Sequence, residues 1–454
     1  MRIALLAMLL ALASCGDDDC CEVASDAAGM PDASDGRVEV ARVTPARDVD
    51  MLFVVDDSPS TLDKQTALTQ AFPAFVNELA SLPGGLPSIH IGVITSDLGT
   101  KASEDALPGP AIGSGVGSCS GTGAGGVLTT NNSIMINGNY ISDLDAGDGT
   151  RTRNYTGSLS EAFTAAASVG SNGCGFEQPL EAARLALENN PSNADFVRVD
   201  AALAVIVVTD EDDCSAAHTT LFAADTSTLG PLNSFRCTQF GVQCDVGGST
   251  PEAMGEIGTK EQCHSNESGT YLTKIGDYAP FLRSLKANPD DVMFAALLGD
   301  VTPVTIEPRE PPGGGATVTA LAHSCAWQGA SGPAVADPGV RVAQLASQFT
   351  RNTVASICSA DLAEPLVSIA RQVRGLAGDA CLSQAIAQPP DCIVTDELGS
   401  TMTPIPACSN EVTTDCYAIV TDTASCSAGA HLALQVTRSQ PAAPGTVTVA
   451  RCRL

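Results

Sequence analysis

Two apolar runs constrain this chain more than any other feature. Residues 201–208 (AALAVIVV) carry no polar side chain. A strand without apolar/polar alternation is one buried on both faces, as in the middle of a parallel sheet. Leu52-Phe53-Val54-Val55 is a second such run. Both end abruptly in acid, the first in Asp56-Asp57-Ser58-Pro59-Ser60 and the second in Thr209-Asp210-Glu211-Asp212-Asp213. Open α/β sheets bind their ligands just beyond the C-terminal ends of the strands, so these polar residues are the first candidates for function. Asp56, with hydroxyls at +2 and +4, offers hard oxygen donors on one loop, the kind that magnesium and calcium take.

The rest of the pattern alternates between strand and helix. Leu62, Ala67, Leu68, Phe72, Phe75, Val76 and Leu79 recur at helical spacing and predict a helix over 61–82. Strands are predicted at 50–55, 89–95, 201–208, 292–298 and 354–357, and further helices at 158–168, 176–188, 278–285 and 362–376. Such alternation specifies an α/β fold, a doubly wound, mainly parallel sheet covered by helices. Three loop-rich segments, about 99–157, 214–271 and 301–345, are too long for ordinary connections and read as insertions. Beyond them, Cys381, Cys392, Cys408, Cys416, Cys426 and Cys452 fall among short β-prone runs at 417–420, 432–436 and 446–450. This predicts a small disulfide-stapled β module over 381–454.

Strand, Asp-x-Ser-x-Ser and amphipathic helix together resemble the opening of a von Willebrand factor A domain with its metal-ion-dependent adhesion site. The resemblance covers 47–376, insertions aside. It implies a divalent cation (Mg2+, or Ca2+ or Mn2+) held by Asp56, Ser58, Ser60 and Asp210, with an acidic side chain of a protein partner completing the ion's shell. The chain departs from the family at three points. Pro59 and Glu211 stand where glycines are usual, and the threonine expected on a third loop falls at Cys174. A disulfide-bonded cysteine is a poor ligand for a hard cation, which leaves Glu177 as the extra oxygen donor of that loop. Cys174 and Cys214 flank two of the site loops on one edge of the implied sheet, and are expected to bridge each other. The alternative from another class is a degenerate, metal-free A-like domain serving as a structural scaffold of the cell envelope. The last three acids of the 210–213 run also have a plainer reading, as a solvated loop.

The N-terminus implies export. Arg2, an apolar run over 3–12 and Leu12-Ala13-Ser14-Cys15 resemble a bacterial lipoprotein signal, with 1–14 removed and Cys15 lipidated. The acyl chains would then be the only membrane anchor. Gly16 follows the cysteine in place of the aspartate that retains many lipoproteins at the inner membrane, which favours the outer one. Residues 15–46 read as an acidic disordered tether, with Asp17, Asp18, Asp19, Glu22, Asp26, Asp32 and Asp35 and no base before Arg37. Setting Cys15 aside, 16 of the 17 cysteines remain, an even number that fits disulfides in an exported chain. A net charge of −29 argues against nucleic acid as a partner.

No catalytic activity is expected. Gly117-Ser118-Cys119-Ser120-Gly121 has the form of a nucleophile elbow but lacks the flanking strand and helix that an elbow needs. A hydrolase with a Cys119 nucleophile is thus a remote alternative. The glycine pattern at 121–126 matches a dinucleotide fingerprint without the strand that would make it one.

Overall fold

The long apolar runs pair with one another. A computed structural model describes residues 36–43, 48–82, 85–146, 150–310, 315–329, 332–378, 380–422, 426, 429–439, 442–443 and 446–454. Its central sheet has seven strands: β1 (Val49–Val55), β2 (Ile89–Thr95), β3 (Ile141–Asp145), β4 (Arg151–Arg153), β5 (Ala202–Val208), β6 (Val292–Leu298) and β7 (Asn352–Ser356). They are ordered β7-β6-β5-β1-β2-β3-β4. The five strands β7, β6, β5, β1 and β2 are mutually parallel, and β3 and β4 extend one edge antiparallel. The chain leaves β1 toward β2 on one side and returns to β5 on the other. The top of β1 is therefore a topological switch point, where such sheets open a crevice for ligand.

Strand periodicity divides the core into two faces. Val49, Met51, Phe53 and Val55 point to one face, against helices α1 (Leu62–Ala80), α2 (Leu159–Ala167) and α6 (Ala363–Leu376). Phe53, Phe72 and Phe163 fill its centre, with the Phe72 and Phe163 rings stacked. Leu52 and Val54, with Leu203, Val205 and Val207, point to the other face, against α3 (Pro179–Leu187), α4 (Ile275–Ser284) and α5 (Val340–Ala346).

Two parts of the expected insertions belong to the sheet's own architecture. β3 and β4 lie inside 99–157, and α5 lies at the end of 301–345. Both escape periodicity because they are short and flanked by glycine-rich or polar chain. The second and third insertions fold together. Val242–Val246, Gly258–Ser265, Val304–Arg309 and Val318–Leu321 make one antiparallel sheet across the two.

The C-terminal β module has strands Cys392–Leu398, Thr401–Ile405 and Val447–Cys452, plus the hairpin Cys416–Thr421 and Leu432–Thr437. Its sheet gains an edge strand from the far end of the chain, because Val38–Val43 pairs antiparallel with Val447–Cys452. The tether reading of 15–46 is corrected there for 38–43: Val40, Ala41 and Val43 supply the apolar surface that the acidic sequence before them lacks. The signal segment, Cys15 and the acidic residues 17–35 lie outside the described residues.

Every cysteine among the described residues is bridged, in seven disulfides. Three of them, Cys381–Cys426, Cys392–Cys452 and Cys408–Cys416, are internal to the C-terminal module. Such bridging belongs to an oxidising compartment, extracellular or periplasmic. Among the described residues no helix is long and apolar enough to cross a membrane. The expected Cys174–Cys214 bridge is overturned: Cys174 joins Cys119, and Cys214 joins Cys237. Both sulfurs do enter one buried cluster, but each is bonded to an insertion that folds over its loop. A non-reducing peptide map should therefore recover 119–174 and 214–237 cross-linked pairs and no 174–214 pair.

Candidate functional site

Register builds the site. Val55 is level with Thr95 of β2 and Val208 of β5, so the next residues, Asp56, Ser96 and Thr209, emerge side by side. Asp56 is buried, and both its oxygens are occupied. Oδ1 accepts from the Ser58 backbone N–H at 2.8 Å and the Ser96 hydroxyl at 3.4 Å. Oδ2 accepts from the Thr209 hydroxyl at 2.7 Å. The Ser58 and Ser60 hydroxyls lie 3.2 Å apart on the same loop, Ser58 buried and Ser60 exposed. Gln65 on α1 locks that loop, its amide donating to the Asp56 carbonyl at 2.9 Å and the Gly170 carbonyl at 2.6 Å.

Asp210 and Glu177 complete the cluster, but on different terms. Asp210 Oδ2 receives the Lys64 ammonium at 2.6 Å, with both side chains 3% exposed. Asp210 Oδ1 and both carboxyl oxygens of Glu177 are buried without a hydrogen-bond partner. Burial, then the Asp210 charge, pushes Asp56 up to about 7. Burial, then Asp337 and Asp210, pushes Glu211 up to about 8. Burial and the Glu211 charge raise Glu177 well above the ordinary carboxyl range. More negative charge is gathered here than the surroundings balance.

The remaining acids of the second loop are neither solvated nor spare. Asp212 accepts from the backbone N–H groups of Arg341 and Val342 at the start of α5. Asp213 binds the Arg341 guanidinium at 3.0 Å and accepts from the Leu180 N–H, at 3.2 Å, at the start of α3. The solvated-loop reading of these residues is thereby corrected, because two helix starts and one buried arginine take them up.

All five expected donors, Asp56, Ser58, Ser60, Asp210 and Glu177, border one region. Cys174 does not contribute, being bonded to Cys119, and the same bond leaves no free thiol for a Cys119 nucleophile. Sequence reading missed Lys64, Gln65, Ser96 and Arg341. A lysine in the first turn of a helix, against the helix dipole, was the available signal for Lys64. Nothing in the local sequence marks Arg341. Ser60, Glu177, Asp210 and Glu211 also line a cleft of about 490 Å³ that runs out between the second and third insertions, past Leu232, Phe235, Val318 and Leu321, with Arg309 and His323 also in its lining.

The donor set suits a hard cation: oxygens only, three of them buried and unpartnered. Among the described residues, however, no three or more His, Cys, Asp or Glu side chains are grouped to hold a metal by themselves. Any shell would need the serine hydroxyls and water.

No protein-family model and no curated protein matches the chain. Solved structures resemble it weakly. Conserved hypothetical protein BatB from Bacteroides thetaiotaomicron has a TM-score of 0.29 and 11% identity, over 72% of this chain and 98% of that one. The open conformation of the pilus adhesin SpaC from Lactobacillus rhamnosus GG has a TM-score of 0.31 and 12% identity, over 92% and 40%. Human COPII-coat protein Sec24c has a TM-score of 0.28 and 9% identity, over 88% and 38%. Likenesses this weak carry no argument.

Two outcomes follow from the charge arrangement. Unfolded carboxyls titrate near pH 4, whereas Asp56 and Glu211 hold their protons to about 7 and about 8. Between those limits the folded chain binds protons that the unfolded chain has released, so stability in chelator should fall as pH rises from about 5 to about 8. Melting curves should show that fall, and Glu211→Gln should reduce it, leaving the part that Asp56 contributes. Arg341→Met leaves Asp213 buried without its counter-charge, and should cost about 3–5 kcal/mol in denaturant unfolding.

Proposed function

We propose that the chain is an exported protein-interaction module of the von Willebrand A type, which engages its partner at the C-terminal edge of the sheet through a divalent cation. The observation that carries this reading is the set of unpaired buried oxygens on Glu177 and Asp210, beside the Asp56-Ser58-Ser60 loop on residues that border the cleft. Buried carboxyl oxygens without partners are costly, and a bound cation would offset them where a proton does so in its absence. Mg2+, Ca2+ or Mn2+ would take hydroxyl oxygens from Ser58 and Ser60, with Asp56, Asp210 and Glu177 acting directly or through water. Bound there, the ion would supply an open coordination position for an acidic side chain of the partner.

The protein's own groups have separable tasks. Asp56, pinned by Ser58, Ser96 and Thr209, shapes the loop that presents the hydroxyls. The insertion walls of the cleft exclude water around the partner's contact. A lipid on Cys15 would hold the module at the outer membrane. No catalytic step is proposed.

The scaffold reading keeps one specific support, the Lys64–Asp210 ion pair, which neutralises one carboxylate without a metal. Melting curves separate the two. With magnesium, calcium or manganese at one hundred times its dissociation constant, the fold should gain about 2.7 kcal/mol over chelator by mass action. The Ser58→Ala/Ser60→Ala double variant should lose that gain, measured against its own melt in chelator because the Ser58 hydroxyl also bonds Asp56, and should lose any chelator-sensitive partner capture. If none of the three ions shifts the wild-type transition, the metal-free scaffold replaces the cation site.

A further inference from the structure

Lys64 stands in an unfavourable place. It is the third residue of α1, where the helix dipole disfavours a cation. It is also 3% exposed, although a buried ammonium is costly unless paired. Its contacts show what holds it there. The ammonium donates to Asp210 Oδ2 at 2.6 Å and to the Ser60 carbonyl at 2.7 Å. It also lies 5.2 Å from the centre of the Trp327 ring, within cation–π range. Trp327 belongs to the third insertion, on a strand that Cys325 ties to Cys358 beyond β7.

One ammonium cannot satisfy what surrounds it. Its donors reach one oxygen of Asp210, while Asp210 Oδ1 and Glu177 Oε1 and Oε2 stay unpartnered. Among the described residues no other ion pair involves Asp56, Glu177, Asp210 or Glu211. The lysine thus occupies one point of a site whose other buried acceptors are left to a proton or to a second cation.

We infer that Lys64 is the resident counter-charge of the cation site, bound to Asp210 in the ion's absence, and that it sets how tightly a divalent cation is held. The inference rests on the cation reading above. Lysine and ion compete for the same carboxylate, and at close range in a water-poor edge their mutual repulsion weakens ion binding. The pair gives the ion-free state a defined, folded form, and holds ion affinity below what the same oxygens would reach without it.

The test compares wild type, Lys64→Met and Lys64→Gln, titrated calorimetrically with Mn2+ and Mg2+ and melted in chelator. Both variants should bind Mn2+ at least about tenfold more tightly than wild type, since a unit charge beside the ion has gone. In chelator both should melt below wild type, because Asp210 loses its partner, and added ion should close that gap. If Lys64→Met fails to fold, Lys64→Gln, which keeps an N–H donor near the Ser60 carbonyl, decides the comparison. Equal affinities in all three proteins would overturn the role of Lys64 and leave the cation reading intact. Binding by the variants but not by wild type would support the role of Lys64 and remove the cation from the native protein's function. Absence of binding in all three would overturn both.

Discussion

The site depends on one constraint, the level register of β1, β2 and β5. Parallel strands deliver all their C-terminal ends to one edge, so whatever follows each apolar run is gathered there. Here the runs are followed by Asp56, Ser96 and Thr209, and one residue further by Asp210. The opposite edge shows that burying a carboxylate in this fold does not by itself leave it in need. Asp50, at the start of β1, is fully buried, yet it accepts from the Arg198 backbone N–H at 2.6 Å, pairs with the Arg198 guanidinium at 2.7 Å and has Lys286 at 3.9 Å. The upper edge gives Glu177 no such partner. The imbalance is local, and it coincides with the switch point of the sheet.

The insertions determine how much of that imbalance persists. Arg341, from the end of the third insertion, binds Asp213 and also donates to the Thr273 carbonyl, the Gly241 carbonyl and the Ser265 hydroxyl. It joins the second insertion to the loop after β5. Buried ion pairs of this kind seldom add net stability, since desolvation offsets much of the attraction. What the arginine supplies is position. With Asp212 and Asp213 held on α5 and α3, Asp210 and Glu211 are left facing the cleft. Cys119–Cys174 and Cys214–Cys237 fasten the same loops covalently.

The sheet was legible because its signals are local. β2 and β6 fall where the apolar runs end, at 89–95 and 292–298, and β1, β5, α1 and α2 agree to within about two residues, the usual uncertainty of element ends. The donors Asp56, Ser58, Ser60 and Asp210 were readable from their place after strands. Their partners were not, because charge balance is decided across the fold. Arg341 lies 128 positions from Asp213, inside a stretch whose composition reads as insertion. Disulfide pairing failed for a related reason. Proximity of two loops is necessary for a bridge, but Cys174 and Cys214 each had a competing sulfur on an insertion whose path no local pattern encodes. Val38–Val43 was lost to its neighbourhood, since six residues beside an acidic stretch take their strand identity from the distant Val447–Cys452.

The Lys64 pair alters what Asp210 means. Read from sequence as one of several clustered carboxylates, Asp210 is a residue whose removal relieves repulsion and costs little. In the structure it is also the partner of a buried ammonium, so its loss strands that charge and destabilises the fold whether or not an ion ever binds. Loss of function in an Asp210 variant is therefore no evidence for a cation. The serine hydroxyls discriminate better, because Ser60 is exposed and neutral and Ser58, although its hydroxyl bonds Asp56, strands no opposite charge when removed. The same logic separates Glu177 from Asp56. Asp56 is satisfied by three donors and serves the loop with or without an ion. Among the described residues Glu177 is paired with no cation and its carboxyl meets that of Glu211, so its burial calls for a proton or a bound cation to offset it.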